Sequence, residues 1–348
     1  MHLALRGLVL AIGGLCCFAA DDGDLLTRIR DHMREYVTRL PDYTCRVTIE
    51  RLARRSNRGT FDLSDRLRLE IAYANGREYY AWSGDDRFEN GIEELLPRSG
   101  LVSEGSWALH ARKLFLTNDA EFGQPRIADC GGTACVQVEF LVPAVRSGFA
   151  VSAAGASAPA ALRGSVWFMR DSLDMLRLEV RVEDTPPSVR IAGTREVTTY
   201  THTRIGDVEF VLPATSELVL RDRDGSERMN RSRFDEYHRY AGSATVRYGA
   251  AESPEPSPAK PAREGRVRPG TRVVATLDAA IPADAAVGDL FTASGGVTGR
   301  ITDLRRAGDR WSVELTLLRV GADRARGVVR RVLSLPVSAG ATFTWRVD

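Results

Sequence analysis

Between residues 24 and 40, apolar side chains fall at Leu25, Leu26, Ile29, Met33, Tyr36, Val37 and Leu40. This spacing predicts an amphipathic helix, with Asp24 placed to cap its start and Pro41 to end it. Directly afterwards the period becomes two. Cys45, Val47 and Ile49 alternate with Thr44, Arg46, Thr48 and Glu50, and Phe61, Leu63, Leu67, Leu69, Ile71 and Tyr73 continue the alternation. Asn75-Gly76 is a hairpin signal, and residues 79–82 read as the returning strand. Two helical patches, 92–96 and 107–117, interrupt the strand series.

Residues 125–249 read almost wholly as strands. Val136, Val138 and Phe140 alternate with polar or small neighbours. Leu176, Leu178, Val180 and Val182 alternate with Arg177, Glu179, Arg181 and Glu183, and Val208, Phe210 and Leu212 repeat the theme. Alternation this regular predicts a sheet with one buried and one wet face. Asp224-Gly225 marks another hairpin, and the small-residue run 152–161 predicts a loop. Residues 250–265 form a proline-rich linker with no apolar pattern, across which few contacts are expected. Residues 266–348 then show short strands at 271–277, 290–294, 298–304, 311–318, 328–335 and 342–347, the pattern of a small β-barrel-like domain.

The N-terminus changes the setting. Arg6, an apolar stretch over 7–20 and a small-x-small signal at Cys17-Phe18-Ala19 identify residues 1–19 as a secretory signal peptide. The expected location is the periplasm or outer envelope. Gly13-Gly14-Leu15-Cys16 departs from the Leu-x-(Ala/Gly)-Cys pattern that lipid modification needs. Cys16 and Cys17 leave with the signal, so Cys45, Cys130 and Cys135 meet an oxidising compartment. Cys130 and Cys135, with a four-residue turn between them, suit a hairpin disulfide, and Cys45 paired with either one is the alternative.

Composition narrows the function classes. The 348 residues are 43% hydrophobic and 27% charged, with 48 basic against 46 acidic groups, which describes a folded chain rather than a polyelectrolyte. No apolar run reaches the roughly 20 residues of a membrane-spanning helix. The charge is uneven: residues 266–348 hold thirteen arginines against eight acids, net +5, which leaves 20–265 near −4. The aromatics of the basic domain, Phe291, Trp311, Phe343 and Trp345, alternate with apolar neighbours and read as core. No nucleic-acid platform is therefore expected, and an anionic envelope surface is the partner that the charge suits.

Candidate chemistry is sparse. His2, His32, His110, His202 and His238 lack ligand spacing, and no Gly-x-Ser-x-Gly or glycine-rich phosphate loop occurs. Asp85-Asp86 and Glu93-Glu94 sit in turn-like sequence. Asp222, Asp224 and Gly225 echo a calcium loop, but its twelfth position is Arg233 rather than an acid. The expectation is no catalytic residue, no metal and no cofactor.

The segment 164–179, a Gly-x-x-Trp strand followed by a Leu-Arg-Leu-Glu strand, and the segment 205–213, ending Phe210-Val-Leu-Pro213, are similar to the periplasmic lipoprotein-localisation factors (LolA/LolB-like). The resemblance covers roughly residues 22–249. It implies a mainly β fold with a minor α component: a curved, unclosed antiparallel sheet with covering helices and an apolar concave face. Leu40-Pro-Asp-Tyr-Thr-Cys45 also resembles the opening of a group of exported proteins, and 269–274 with 287–293 resemble small barrels of conjugation and envelope-assembly proteins. The carrier resemblance implies sequestration of a lipid or acylated protein without catalysis. Trp82, Trp107, Trp167, Leu176, Leu178 and Phe210 are the expected lining. The alternatives are an envelope assembly subunit with a filled core and, third, an unrecognised hydrolase.

Overall fold

The computed structural model describes residues 19–56, 58–85, 87–89, 91–95, 107–153, 156–183, 185–240 and 265–348. The predicted signal segment, short of Ala19, and the predicted linker, short of Gly265, lie outside the described residues. The chain opens with helix α1 (Ala19–Arg39) and runs through β1 (Tyr43–Arg54), β2 (Asp62–Ala74) and β3 (Arg77–Trp82). Two helices, α2 (Ile92–Leu95) and α3 (Trp107–Phe115), come next. They precede β4 (Glu121–Phe122), β5 (Arg126–Asp129), β6 (Ala134–Val142) and α4 (Ala144–Ser147). Residues 152–161, expected as a loop, instead carry much of a small hairpin of β7 (Ala150–Ala153) and β8 (Ala156–Pro159), because serine and alanine fit a pleated edge as readily as a loop. Five long strands complete the first unit: β9 (Leu162–Met169), β10 (Met175–Val182), β11 (Ile191–Ile205), β12 (Val208–Asp222) and β13 (Glu227–Arg239).

Eleven strands form one antiparallel sheet in the order β3-β2-β1-β13-β12-β11-β10-β9-β6-β4, with β5 also on β6. Its ends do not meet, so the sheet is curved and unclosed. Register shifts at Thr44/Arg46, Met175/Arg177 and Thr199/Tyr200 mark bulges that bend the strands. Strand alternation decides which side is buried. Tyr43, Cys45, Val47 and Ile49 of β1 are buried, as are Leu67, Leu69, Ile71 and Tyr73 of β2. Helix α1 lays Ile29, Met33 and Val37, spaced four apart, into the same core, and α3 adds Ala111, Leu114 and Phe115. Gly164 permits the tight β9–β10 contact: a Cβ there would stand 1.8 Å from the Glu179 carbonyl oxygen.

The second unit contains β14 (Arg272–Thr276), β15 (Leu290–Ala293), β16 (Val297–Ala307) and β17 (Arg310–Val320). Then come β18 (Asp323–Arg324), β19 (Val328–Leu333) and β20 (Thr342–Arg346). β14 pairs with β20, and β15, β16 and β17 form a second ladder to which β18 and β19 add. A Leu277–Ala293 bridge and the Asp348 N–H to Arg326 carbonyl bond (2.7 Å) join the two into a barrel-like whole. Its centre is Trp345, stacked on Phe291 at 5.9 Å and donating its indole N–H to the Leu315 carbonyl.

The two units are joined by more than the linker, contrary to the expectation of few contacts. β3 pairs only with residues 69–74 of β2, which leaves the first half of β2 without a neighbour on that side. The second unit supplies one. Val287 bridges Leu67 in parallel, with Arg68 N–H to Val287 carbonyl and Val287 N–H to Arg66 carbonyl both at 2.8 Å. Arg68 Nη1 reaches both Asp289 oxygens at 2.7 Å, and Arg300 grips Asp85 through two bonds of 2.8 and 3.0 Å. An uncovered half-edge would invite foreign strands, so this contact is both adhesive and protective.

Gly288 is the tight point of the contact, at φ +102°. A Cβ would stand 2.3 Å from the Arg68 carbonyl oxygen and 2.7 Å from the Trp82 ring. Gly288→Val should cost about 3 kcal/mol or more, through overpacking and backbone strain together. Gly131→Ala has the same kind of φ but nothing within 4 Å, and should cost only about 1–2 kcal/mol. Urea melts of both variants test this; equal losses would show that the contact at Gly288 is slack.

Candidate functional site

The apolar face of the first unit carries the expected binding surface. α1 lies across it as a cover. Polar side chains tie the helix to its surroundings at several points, Arg30 over the Phe122 ring at 5.8 Å among them. Tyr36 donates its hydroxyl to the Val211 carbonyl at 2.8 Å, and Arg34 Nε donates to the Phe115 carbonyl at 3.2 Å. A chain of titratable groups lies at the rim. His32 Nε2 stands 3.6 Å from one Asp174 oxygen, His202 Nε2 3.5 Å from the other, and His202 Nδ1 3.7 Å from Glu209. The turn serine Ser172 accepts the Asp174 N–H at 3.3 Å. Among the described residues no group of three or more potential ligands could hold a metal ion.

Beneath the cover the interior is unusually rich in phenols. Tyr43 stacks on Tyr73 at 5.3 Å and tilts against Tyr237 at 5.5 Å, and Tyr80 donates to the buried Glu78 carboxylate at 2.9 Å. Burial, then the charge of Glu78, pushes the Cys45 thiol well above its ordinary range despite a hydrogen bond with Tyr237. Burial does the same to the Tyr36 hydroxyl. Cys45 is a free, buried thiol, and Cys130 is joined to Cys135 with Cα atoms 5.9 Å apart.

The six expected lining residues do not converge on one pocket. Leu178 is 2% exposed and packed into the core. Trp82 sits opposite Leu69 on the core face, but six strands away from β10 and against Gly288 of the second unit. Trp167 falls on the other face, opposite Arg177 and Gln137, with the Arg177 guanidinium 4.7 Å above its ring. The reason is parity: Val166 and Phe168 take the core side, so Trp167 cannot. Leu176 occupies the bulge between Met175 and Arg177 and is only half-buried. Phe210 lies opposite Thr203 on β11 and is half-buried, packed against the edge of the core. Trp107 opens α3; its side chain lies outside the described residues.

The opposite face of the sheet is ionic. A groove of about 1020 Å³ runs between it and Pro282 and Asp284, lined by seven arginines and five acids. Arg66 pairs with Glu50, Arg231 with Glu217 and Arg233 with Asp235. Glu179 is the hub: Arg177, Arg181 and Arg195 all converge on it, Arg195 through both oxygens at 3.0 and 2.8 Å. Burial raises the Glu179 carboxyl, but the hydrogen bonds and charges of Arg195 and Arg181 outweigh that and hold it below the ordinary glutamate range. The rim contacts of α1 and the cross-strand pairs of this lattice, such as Arg195 with Glu179, were not visible in sequence, because their partners come from separate elements, whereas Arg177, Glu179 and Arg181 are next-but-one neighbours on one strand. His32 and Asp174, for example, are not near neighbours along the chain.

No protein-family model matches the chain, and no curated protein sequence matches it. Three solved structures are similar in fold. A domain named for outer membrane lipoprotein sorting from Vibrio parahaemolyticus shares 10% identity, covering 65% of this chain and 94% of its own, at a TM-score of 0.33. A LolA superfamily protein from Nitrosomonas europaea shares 11% identity over 61% and 91%, at 0.29. A DUF1329 family protein from Desulfovibrio piger shares 14% over 62% and 93%, at 0.31.

Two measurements follow from this geometry. Glu179 has a depressed folded value, so its stabilisation is complete above the ordinary glutamate value of about 4.3 and fades as pH falls through the lower folded value. Glu179→Gln should cost about 2 kcal/mol at neutral pH and flatten the acid limb of the stability curve; an unchanged acid limb would show that Glu179 does not govern it. For Cys45, Ellman's reagent should find no reactive thiol in the folded chain lacking residues 1–19, and one after denaturation.

Proposed function

We propose that the chain is a non-catalytic binding protein of the cell envelope. It sequesters an apolar, acyl-bearing group between helix α1 and the core face of the large sheet. The observation that carries this reading is the way α1 is held. It covers the apolar face with one stripe, Ile29, Met33 and Val37, and polar side chains on its other faces, among them Tyr36, Arg34 and His32, reach neighbouring elements. A cover so attached lifts as a unit, and the exchange of its stripe for an acyl chain replaces apolar contact with apolar contact. Each methylene so buried contributes about 0.8 kcal/mol. The proposed site is the ground vacated by the α1 stripe, next to Leu178, and no longer the set of six residues expected from sequence.

One observation favours a second reading. Met33 and Leu178 are 1% and 2% exposed in the closed form, so the core is also consistent with a permanently filled assembly subunit. Native mass spectrometry of the full chain taken from its own envelope should show a bound acyl-bearing mass, and a fluorescent fatty acid should bind saturably to the stripped protein. Tyr36→Phe removes one tether of α1 without touching the stripe. It should speed release of the fatty acid roughly fivefold, the worth of one hydrogen bond, with little change in the melt. No adduct and no saturable binding would favour the filled core.

A further inference from the structure

The second unit carries its own site at one end of the barrel, and it stands independently of the apolar site of the first. On β17 and β18, Arg319 lies directly opposite Arg324. On the other side of Arg324 the chain entering the unit runs parallel to β18. Arg266 bridges Arg324, with Arg324 N–H to Gly265 carbonyl and Val267 N–H to Arg324 carbonyl both at 3.0 Å. Three arginines therefore stand in a row across three adjacent backbones. Like charges directly opposite each other are unfavourable in a sheet, and most surfaces avoid them. Here the row borders a depression of about 700 Å³, lined by Arg266, Arg324 and Arg326 together with Leu317, Leu318 and Ala325. Asp323 and Asp348 supply the local counter-charge. Asp348 is held there by its N–H bond to the Arg326 carbonyl. Two carboxylates against four arginines leave the corner positive.

The chemistry of the corner is specific. Planar guanidinium groups around one depression match the tetrahedral oxygens of a phosphate, which they can hold through paired N–H donors. Beside them the half-buried Leu318 offers an apolar contact for the carbon skeleton next to such a phosphate. The large groove of the first unit contains more arginines, but each is engaged by a carboxylate: Arg46 by Glu236, Arg66 by Glu50, Arg68 by Asp289, Arg177 and Arg195 by Glu179, Arg231 by Glu217 and Arg233 by Asp235. We infer that this end of the barrel docks on an anionic membrane leaflet by seating phospholipid headgroup phosphates among Arg266, Arg324 and Arg326.

The test uses the full chain and co-sedimentation with vesicles of phosphatidylcholine, with or without phosphatidylglycerol. The wild-type chain should bind the anionic vesicles only, and added salt should weaken binding. The variant R266Q/R324Q/R326Q should lose binding on the order of a hundredfold, the combined effect of three basic residues near an anionic surface. The control R305Q/R306Q/R310Q removes the same charge from the other end of β17 and should stay within about twofold. If the triple variant melts early, the single exposed change Arg326→Gln serves in its place, with a loss of about fivefold. Equal losses in the two triple variants would reduce the effect to net charge and overturn the site. Binding of inorganic pyrophosphate without vesicle binding would overturn the membrane and assign a soluble phosphate compound. Equal binding to neutral vesicles, or none to either, would overturn the inference outright.

Discussion

An antiparallel sheet that does not close must bury one face and guard its edges, and nearly everything in this molecule answers to that requirement. Eleven strands bend through their bulges but leave β3 and β4 far apart in the order of strands. The apolar face is covered by α1 and α3, and the bare half of β2 is covered by a stretch of the second unit. The barrel is thus more than an appendage at the end of a linker. It supplies backbone bonds that the large sheet lacks, and its position is fixed by Arg68–Asp289 and Arg300–Asp85.

The two faces of the sheet rely on different physics. The core face is held by burial, and its phenols donate either to backbone carbonyls, Tyr36 to Val211 and Tyr237 to Pro213, or to the buried Glu78 carboxylate, as Tyr80 does. The outer face is held by charge, organised around Glu179 and the arginines that surround it. Arginine suits that lattice because its rigid fork engages both oxygens of a carboxylate while its stem lies along the strand surface. Arg195 shows the bidentate grip on Glu179, and Arg177 adds a guanidinium placed over the Trp167 ring.

Much of this was legible in the sequence. The period-two runs became strands, Asn75-Gly76 and Asp224-Gly225 became turns, and the aromatics of the second unit became its core. The candidate site was less legible, because alternation gives the parity of a strand and not its neighbours. Parity alone places Trp167 opposite to Val166 and Phe168, so its position could have been read. The bulge that displaces Leu176 could not, since a bulge leaves no mark in hydropathy. Nor could the distance from Trp82 to Leu178, which depends on strand order. The docking of the second unit was hidden for a related reason: an unpaired half-edge exists only once β3 is known to stop at Trp82.

The pairing of β2 with the second unit also has a temporal side. Arg68 and its partner Asp289 are separated by 221 positions in the chain, and β1 must wait for β13 before it has its second neighbour. Contacts so distant in sequence close late, since a long loop must be ordered before any of them forms. A chain that emerges from its N-terminus therefore passes through an interval in which β2 and its hairpin exist but their guard has not yet been delivered. Throughout that interval the exposed backbone is open to capture by another copy of the same strand. The gain from a shared edge in the finished molecule is thus set against a vulnerable nascent stage, whose length depends on how fast the last eighty or so residues follow the rest.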